Sequence, residues 1–452
     1  MEHLDVIVIG MGPGGEVTAD RLLKAGKRVA VVERELIGGE CGYYACIPTK
    51  TLIRPPEARI GAAEAAGLGR PGLDWPELRA YRDRMIRHLD DTRQVQGYRD
   101  QGALVLKGTA RVVGRDPWRV AVGGQEYTAD HVVVATGSEA VRPPVDGLDA
   151  LGPDRVWTNR EATTLTEIPG RALVVGGGAV AVELGQFLAH MGTAVTIVQR
   201  GDRLLDREDP RLCELVSEQF DRDGITVHLG AQVASVAADG DGVVAALDSG
   251  ERVHADVVVL GSGRRPRGDG LGLADLGVEL DRTALPVDDR CRVAPGLWAV
   301  GDVTARAMFT HVAKYQGRLV AANILGGDRR ADYTGVPRVV FAHPEIAGVG
   351  LTSEQARERG IDVATAEIDL PETLARPWTH ATDPRGTLGV IADRDEGVLV
   401  GAWAFGPMVS EWINTAALAI RSRIPVGYLI DSTPQFPTFN EGYVAVLEQL
   451  DL

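Results

Sequence analysis

Short apolar runs and longer helix-like stretches alternate along this chain, and one order of them occurs twice. Val6-Ile7-Val8-Ile9 ends at a glycine cluster, a helix-like stretch follows, and Val29-Ala30-Val31-Val32 forms the next apolar run. The order returns from Leu173-Val174-Val175, through a second glycine cluster, to Val195-Thr196-Ile197-Val198. Short apolar runs bounded by turn residues read as buried strands, so each copy predicts strand, glycine turn, helix, strand. The copies keep register at an offset of 166 positions, Gly10 to Gly176. Gly10, Gly12, Gly15, Gly26 and Glu33 answer to Gly176, Gly178, Ala181, Gly192 and Gln199. One such glycine pattern is weak evidence; two in register, each opening a βαβ unit, predict an α/β chain with two Rossmann-like dinucleotide-binding domains.

The same pattern sets boundaries. A first lobe is expected over residues 1–150, with Pro143-Pro144, Gly147 and Gly152 as its connector. A second spans residues 151–267. Residues 268–332, with the predicted strand Leu297-Trp298-Ala299-Val300, return to complete the first. A last α+β lobe, residues 333–452, mixes alternating runs such as Val398-Leu399-Val400-Gly401-Ala402-Trp403 with a helical stretch from Ser410 to Ser422.

Composition narrows the class. Acidic residues outnumber basic ones 63 to 48, for a net charge of −15, and no basic block stands out. Nucleic acid and anionic membranes are therefore poor partners. Met1-Glu2-His3-Leu4-Asp5 carries no basic leader, and no apolar run is long enough to span a bilayer. The expectation is a cytoplasmic enzyme with no metal site of its own. Of only four cysteines, Cys41 and Cys46 fall five apart, shortly after the first glycine cluster. In a reducing compartment such a pair is catalytic or metal-binding more often than structural. Cys213 and Cys291 are isolated and read as core packing.

The first turn reads Gly10-Met11-Gly12-Pro13-Gly14-Gly15. Gly10 permits the tight turn, Gly12 lets backbone approach a pyrophosphate, and Gly15 lets helix pack on strand. The helix N-terminus then offers its partial positive charge to the phosphates. Glu33, 23 residues past Gly10, stands where a carboxylate binds ribose hydroxyls. In the second turn, Gly176-Gly177-Gly178-Ala179-Val180-Ala181, the third small residue is Ala181. Gln199 replaces the acid, Arg200 follows it, and Arg203 is near. A carboxylate would repel a 2′-phosphate, whereas arginine grips one bidentately, so NADPH is favoured and NADH left open. The N-terminal site resembles an FAD site, with Thr136-Gly137 and Gly301-Asp302 as companion motifs.

The cysteines lie in Gly38-Gly39-Glu40-Cys41-Gly42-Tyr43-Tyr44-Ala45-Cys46-Ile47-Pro48-Thr49-Lys50. A thiol pair beside a bound redox cofactor suggests electrons passing from cofactor to sulfur. A disulfide needs Cα atoms within about 7 Å, which this spacing on a regular helix serves badly, so a distorted first turn is expected. The reactive species is the thiolate.

With these motifs the chain resembles, along nearly its whole length, the pyridine nucleotide-disulfide oxidoreductases, the family of dihydrolipoamide dehydrogenase, glutathione reductase and mercuric reductase. The resemblance implies roles. Cys46 would be the charge-transfer thiol against the flavin, and Cys41 the exposed interchange thiol. Lys50 would sit near flavin N5, paired with Glu183. Gly14 and Gly39 would join the FAD-binding residues, and Asp302 would meet the ribityl chain. His311, in Thr310-His311-Val312-Ala313, would begin a helix aimed at the flavin's pyrimidine edge, stabilising the anionic reduced flavin. The last lobe is similar to the family's dimerisation domain, which implies a homodimer.

The chain departs from the family at its C-terminal end. Where the family carries His-Pro-Thr-x-x-Glu, contributed across the dimer, this sequence reads Phe436-Pro437-Thr438-Phe439-Asn440-Glu441. Glu441 stands, but Phe436 cannot move a proton, and a positioned acid-base group contributes about 10²–10⁴-fold. Reduction of high-pKa thiol disulfides is thereby disfavoured. So is mercuric reduction, because the chain ends Glu448-Gln449-Leu450-Asp451-Leu452 with no vicinal cysteines. Tyr43 and Tyr44 depart from the family's Asn-x-Gly-like filling between the cysteines, with rings that either shape a pocket or pack. Ala179 stands where some relatives carry a tyrosine that covers the flavin. The family's cis His-Pro bond implies a cis Phe436-Pro437 bond.

Three readings follow. The first is a homodimeric FAD enzyme that takes hydride from NADPH and passes electrons through Cys41 and Cys46 to a small acceptor. The second works directly from the flavin on a quinone, metal ion or dye, or as a transhydrogenase. The third is a non-catalytic flavin redox sensor.

Overall fold

The apolar run at Val6 lies within β1 (Glu2–Ile9), and its glycine turn leads into α1 (Pro13–Lys24) and β2 (Val29–Glu33). The computed structural model describes residues 2–452. Pro13 takes the first helical position, where its missing N–H is not needed and its φ is already helical. β1 runs parallel to β2, pairing Val6 with Val29 through Ile9 with Val32. On its other side it runs parallel to the strand Gln125–Val134, where Ile7 faces Val132. Flanked on both edges and covered on both faces, Val6, Ile7 and Val8 are wholly buried, so the run is apolar without alternation. Leu104–Lys107 extends this sheet beyond β2, and Leu297–Ala299 extends it beyond Gln125–Val134.

The chain divides into two units. One comprises Met1–Thr49, Ala80–Val141 and Gly263–Asp332, and it contains the β1 sheet. The other comprises Lys50–Arg79, Arg142–Ser262 and Tyr333–Leu452. Within the second, a parallel sheet runs in the order Thr226–Leu229, Ala194–Gln199, Arg171–Val175, Val257–Leu260, Val156–Trp157. The helix Ala179–His190 follows the second glycine turn.

An antiparallel sheet of the second unit orders Pro337–Val340, Glu345–Gly350, Val398–Gly406, Thr387–Asp393 and Val363–Asp369. Here the alternation expected at residues 398–403 gives way to burial along nearly the whole strand, because Val398–Gly406 is the central strand with both faces covered. The helical stretch expected from Ser410 to Ser422 forms as two helices, Val409–Trp412 and Asn414–Ser422, meeting at buried Ile413. Cys213 and Cys291 are buried in separate cores, as expected, and burial pushes the Cys213 thiol up to about 12.

The first glycine turn is held by backbone against backbone. A Cβ on Gly15 would stand 2.0 Å from the Gly10 carbonyl oxygen, and neither chain segment can yield. Gly15→Ala is expected to cost about 1–3 kcal/mol by overpacking. Urea unfolding measures it; an unchanged midpoint would contradict this packing.

Candidate active site

The two halves of the first unit's site meet at glycines. Gly10, at φ +95°, ends β1 so close to its neighbour strand that a Cβ would lie 2.4 Å from the Ala135 carbonyl oxygen. Gly39, at φ +58°, brings the cysteine loop onto the same turn, where its Cβ would lie 2.8 Å from Gly12 Cα. Gly14 packs beside Val300 and Ala313. Gly12 itself faces open space: a Cβ there meets nothing within 4 Å. It is also the N-cap of α1 and has no side-chain cap. An open backbone at an uncapped helix N-terminus is what a pyrophosphate needs, so these residues fit a dinucleotide. The Glu33 carboxylate closes the end of β2, accepting from the Met11 and Glu35 N–H groups at 2.8 Å each.

The cysteines do not share one helix. Cys41 lies in the short α2 (Gly39–Tyr43), and Cys46 opens the long α3 (Cys46–Glu64), with Tyr44 and Ala45 between. This is the distorted turn the spacing predicts. Neither sulfur is in a disulfide, and the two cysteines stand on either side of the helix break. The neighbouring Cys46 and burial hold the Cys41 thiol above its ordinary range, while Thr310 and Lys314 pull it back. Cys46 Sγ also lies 3.2 Å from Thr310 Oγ1, in the first turn of the helix Thr310–Ile324. His311 is the next residue; its exposed ring stacks on Phe309 at 5.2 Å.

The companion motifs close the same unit. Gly301, at φ +80°, donates its N–H to Gln316 Oε1 at 2.6 Å. Asp302 Oδ2 accepts from Ser138 Oγ at 2.6 Å, and Ser138 Oγ in turn accepts from Arg264 Nε at 2.7 Å. Arg264 also lies 3.7 Å from Glu40, the neighbour of Cys41. Thr136 Oγ1 donates to the Arg267 carbonyl at 2.6 Å, and Gly137 turns at φ +72°. Thr310, Ser138, Arg264 and Lys314 were not singled out from sequence. Only Thr310 carried a signal, as a hydroxyl residue opening a helix shortly after Gly301-Asp302.

In the second unit, Lys50 Nζ lies 2.6 Å from Glu183 Oε2 and 4.6 Å above the Phe341 ring. Glu183 Oε1 also accepts from the Phe341 N–H at 2.9 Å. The second glycine turn repeats the logic of the first: a Cβ on Gly176 would lie 2.5 Å from the Gly261 carbonyl oxygen, and one on Gly178 meets nothing within 4 Å. Ala181 is wholly buried. The Gln199 side chain lies over Gly177 and reaches the Arg203 carbonyl at 3.4 Å. Arg200 is exposed, whereas Arg203 is drawn to Glu354 at 3.4 Å. At the C-terminal end the Phe436-Pro437 bond is cis, as expected. Phe436 is 76% exposed, and Glu441 accepts from the Thr438 N–H at 2.9 Å. Among the described residues no group of three or more His, Cys, Asp or Glu is placed to hold a metal ion. Likewise, no helix among them is long and apolar enough to cross a membrane.

Comparison with known proteins agrees with this layout. Residues 4–317 match the pyridine nucleotide-disulphide oxidoreductase family, and residues 336–446 match the dimerisation domain of the same family. The chain is 34% identical over 451 residues to a mercuric reductase of Streptomyces lividans, covering 97% of this chain and 94% of that protein. It is 35% identical over 462 residues to a dihydrolipoyl dehydrogenase of Thermus scotoductus, covering 100% of this chain and 98% of that one. Among solved structures it is similar to a Cu(II) complex of the HOCl-induced flavoprotein disulfide reductase RclA from Escherichia coli. That likeness has a TM-score of 0.88 and 27% identity, and covers 99% of each chain.

Glu183 supplies acceptors to both Lys50 and the Phe341 backbone. Glu183→Leu strands that N–H and cation and is expected to lower stability by about 1–3 kcal/mol. Thermal unfolding checks this; a loss under a few tenths would show that neither bond matters.

Proposed function

The chain belongs to the pyridine nucleotide-disulphide oxidoreductases, and from that membership we propose that it is a dithiol-using reductase of small electron acceptors. It is an FAD- and NAD(P)H-dependent oxidoreductase and a homodimer. In this reading the FAD-binding domain is residues 1–150 completed by 268–332. The nicotinamide nucleotide domain is residues 151–267, and the dimerisation domain residues 333–452. The observation that carries the proposal is the pair of free cysteines, Cys41 and Cys46, either side of a helix break, with Cys46 beside Thr310 and the loop packed on the Gly12 turn.

FAD, when bound, supplies the link between two-electron hydride donation by NADPH and the sulfurs. The chain's own residues do the rest. The Cys41 thiolate attacks one sulfur of an acceptor disulfide, forming a mixed disulfide and expelling the first thiolate. Cys46 then attacks the Cys41 sulfur, expelling the second thiolate and leaving Cys41 joined to Cys46. Two electrons have moved from the protein sulfurs to the acceptor. With Phe436 in place of a histidine, protonation help for the leaving group is scarce. Acceptors whose leaving group needs no proton therefore suit the site: aryl disulfides with acidic thiols, or a metal ion. RclA forms a Cu(II) complex, which makes metal ions a class to test.

Anaerobic titration of the FAD-loaded enzyme with NADPH tests the proposal. A long-wavelength thiolate-to-flavin band is expected after one equivalent. Cys41→Ser is expected to cut reduction of 5,5′-dithiobis(2-nitrobenzoate) by about 100-fold or more. The wild-type rate should rise with pH as the attacking thiolate forms. Direct flavin bleaching with no band, and an unchanged Cys41→Ser rate, would move the chemistry to the flavin itself.

We also propose NADPH as the preferred donor, with Arg200 on its 2′-phosphate. Arg200→Ala should raise the KM for NADPH roughly 10–100-fold, the range of a charged hydrogen bond, and leave that for NADH unchanged. Equal effects on both nucleotides would refute it.

A further inference from the structure

Tyr43 is the odd residue of the cysteine loop, and the first unit is fitted around it. It is wholly buried. A Cβ on Gly38, which stands at φ +122°, would lie 2.9 Å from Tyr43 Cε2, so only glycine leaves the ring its place. The Tyr43 hydroxyl donates to the Ile37 carbonyl at 3.2 Å. The Arg87 guanidinium lies over the ring, 5.5 Å from its centroid.

Arg87 comes from an unusual piece of backbone. Arg87, His88 and Leu89 hold φ values of 54°, 51° and 58° in succession. Left-handed backbone is costly for residues with a Cβ and persists where surrounding contacts enforce it. Those contacts are present on both sides. Ile86 is buried before the turn. After it, Asp91 Oδ2 accepts from the Ile37 N–H at 2.8 Å and from Lys107 Nζ at 2.7 Å. The Arg87–Asp91 turn thus grips the cysteine loop twice, at the Tyr43 ring and at the Ile37 backbone.

The grip bears on the thiols because of where they stand. Closing a disulfide brings two sulfurs that are unbonded here to about 2.05 Å, so one of them must move. Cys46 is the fixed partner: Thr310 lies against it, and the Thr49 N–H bonds the Ala45 carbonyl across its turn at 3.0 Å. Cys41 sits on the five-residue α2, whose last residue is Tyr43. We propose that Tyr43, gripped by the Arg87–Asp91 turn, is a positioning residue that holds Cys41 in the open dithiol geometry and disfavours closure to the disulfide. A stabilised dithiol makes a pair more oxidising. The inference rests on the redox-pair reading above.

The test is an equilibrium in glutathione buffers. The enzyme dithiol and one glutathione disulfide give the Cys41–Cys46 disulfide and two glutathione thiols, which take up both protons and both electrons. FAD-loaded enzyme is equilibrated at set glutathione ratios, quenched with acid and alkylated, and the unreacted thiols are counted by mass. Arg87→Gln is expected to favour the disulfide by about 2–5-fold through loss of the cation over the ring. Tyr43→Phe is expected to favour it by about 2–10-fold through loss of the hydroxyl bond. Arg87→Lys should restore part of the wild-type value. Arg87 is exposed, so its variants keep the core intact even if Tyr43→Phe folds poorly. Urea midpoints measured alongside separate a merely structural role, which would lower stability and leave the thiol equilibrium alone. Wild-type closure with no shift in the Arg87 variants overturns this inference only. A wild-type pair that closes in no buffer overturns the redox-pair reading with it.

Discussion

The approach of Gly39 to Gly12 is the constraint on which the rest of the first unit's site depends. Two backbones meet where a single Cβ would stand 2.8 Å from the opposing Cα. One belongs to the open turn between β1 and α1, the other to the loop that carries Cys41 two residues later. The sulfur position is therefore set by main chain, before any side-chain interaction acts on it. The turn is itself fixed from the far side, where Gly10 touches the Ala135 carbonyl and Gly15 touches Gly10. A helix end, a strand end and the cysteine loop are thus held by contacts that allow no side chain, and the error in any one passes directly to the next. Held this rigidly, the turn and the loop fix the geometry on which a site depends.

Electrostatics at the thiols then follows from what surrounds that position. The Cys46 thiol and burial raise Cys41, while Thr310 and Lys314, on one face of the Thr310–Ile324 helix, oppose them. The balance leaves a thiol that yields its proton reluctantly. Phenylalanine at position 436 puts no proton acceptor where the family's motif has its histidine. Under the proposed function the demand shifts to the acceptor: its leaving group must depart without a proton. Attack by a high-pKa thiolate is intrinsically fast once the thiolate exists, so a small thiolate fraction is partly offset by nucleophilicity.

Much of this was legible because the governing contacts are local. Gly10 and Gly176 reveal themselves by identity, since the space they leave admits nothing else, and Gly12 and Gly178 by their fixed spacing from them. The buried β1 run and the two isolated cysteines were equally plain. What escaped notice was decided at long range. Asp302 was plain, but its partners were not: Ser138 and Arg264 stand more than 120 positions apart, and neither type is unusual where it stands. The depth of Tyr43 was unreadable because its pocket is made by Gly38 and by a left-handed turn more than 40 positions away. Alternation at residues 398–403 misled for a related reason: a strand's place in its sheet, central or edge, is set by partners from elsewhere in the chain. Arg203 looked like a partner of Arg200, yet Glu354 takes it.

The internal duplication separates what the turn must do from what it can vary. In both copies the first glycine faces a carbonyl of the neighbouring segment, Ala135 for Gly10 and Gly261 for Gly176, at 2.4 and 2.5 Å from the missing Cβ. That much is obligatory. The small residue beneath the helix is solved in opposite ways. The first copy puts glycine on the helix and alanine opposite, as Gly15 and Ala135. The second puts alanine on the helix and glycine opposite, as Ala181 and Gly261, where a Cβ on Gly261 would stand 2.8 Å from the Ala181 Cβ. In the first copy the Gly10 carbonyl, 2.0 Å from a Gly15 Cβ, forbids the swap, so the methyl stays on Ala135. Divergence with chemical consequence lies instead at the strand ends. Glu33 accepts two backbone N–H groups and leaves a carboxylate at the ribose position. Gln199 is neutral, turned onto Gly177, with exposed Arg200 beside it. Identical packing can thus present an anion in one copy and a cation in the other, so nucleotide choice is written in the residues that packing leaves free.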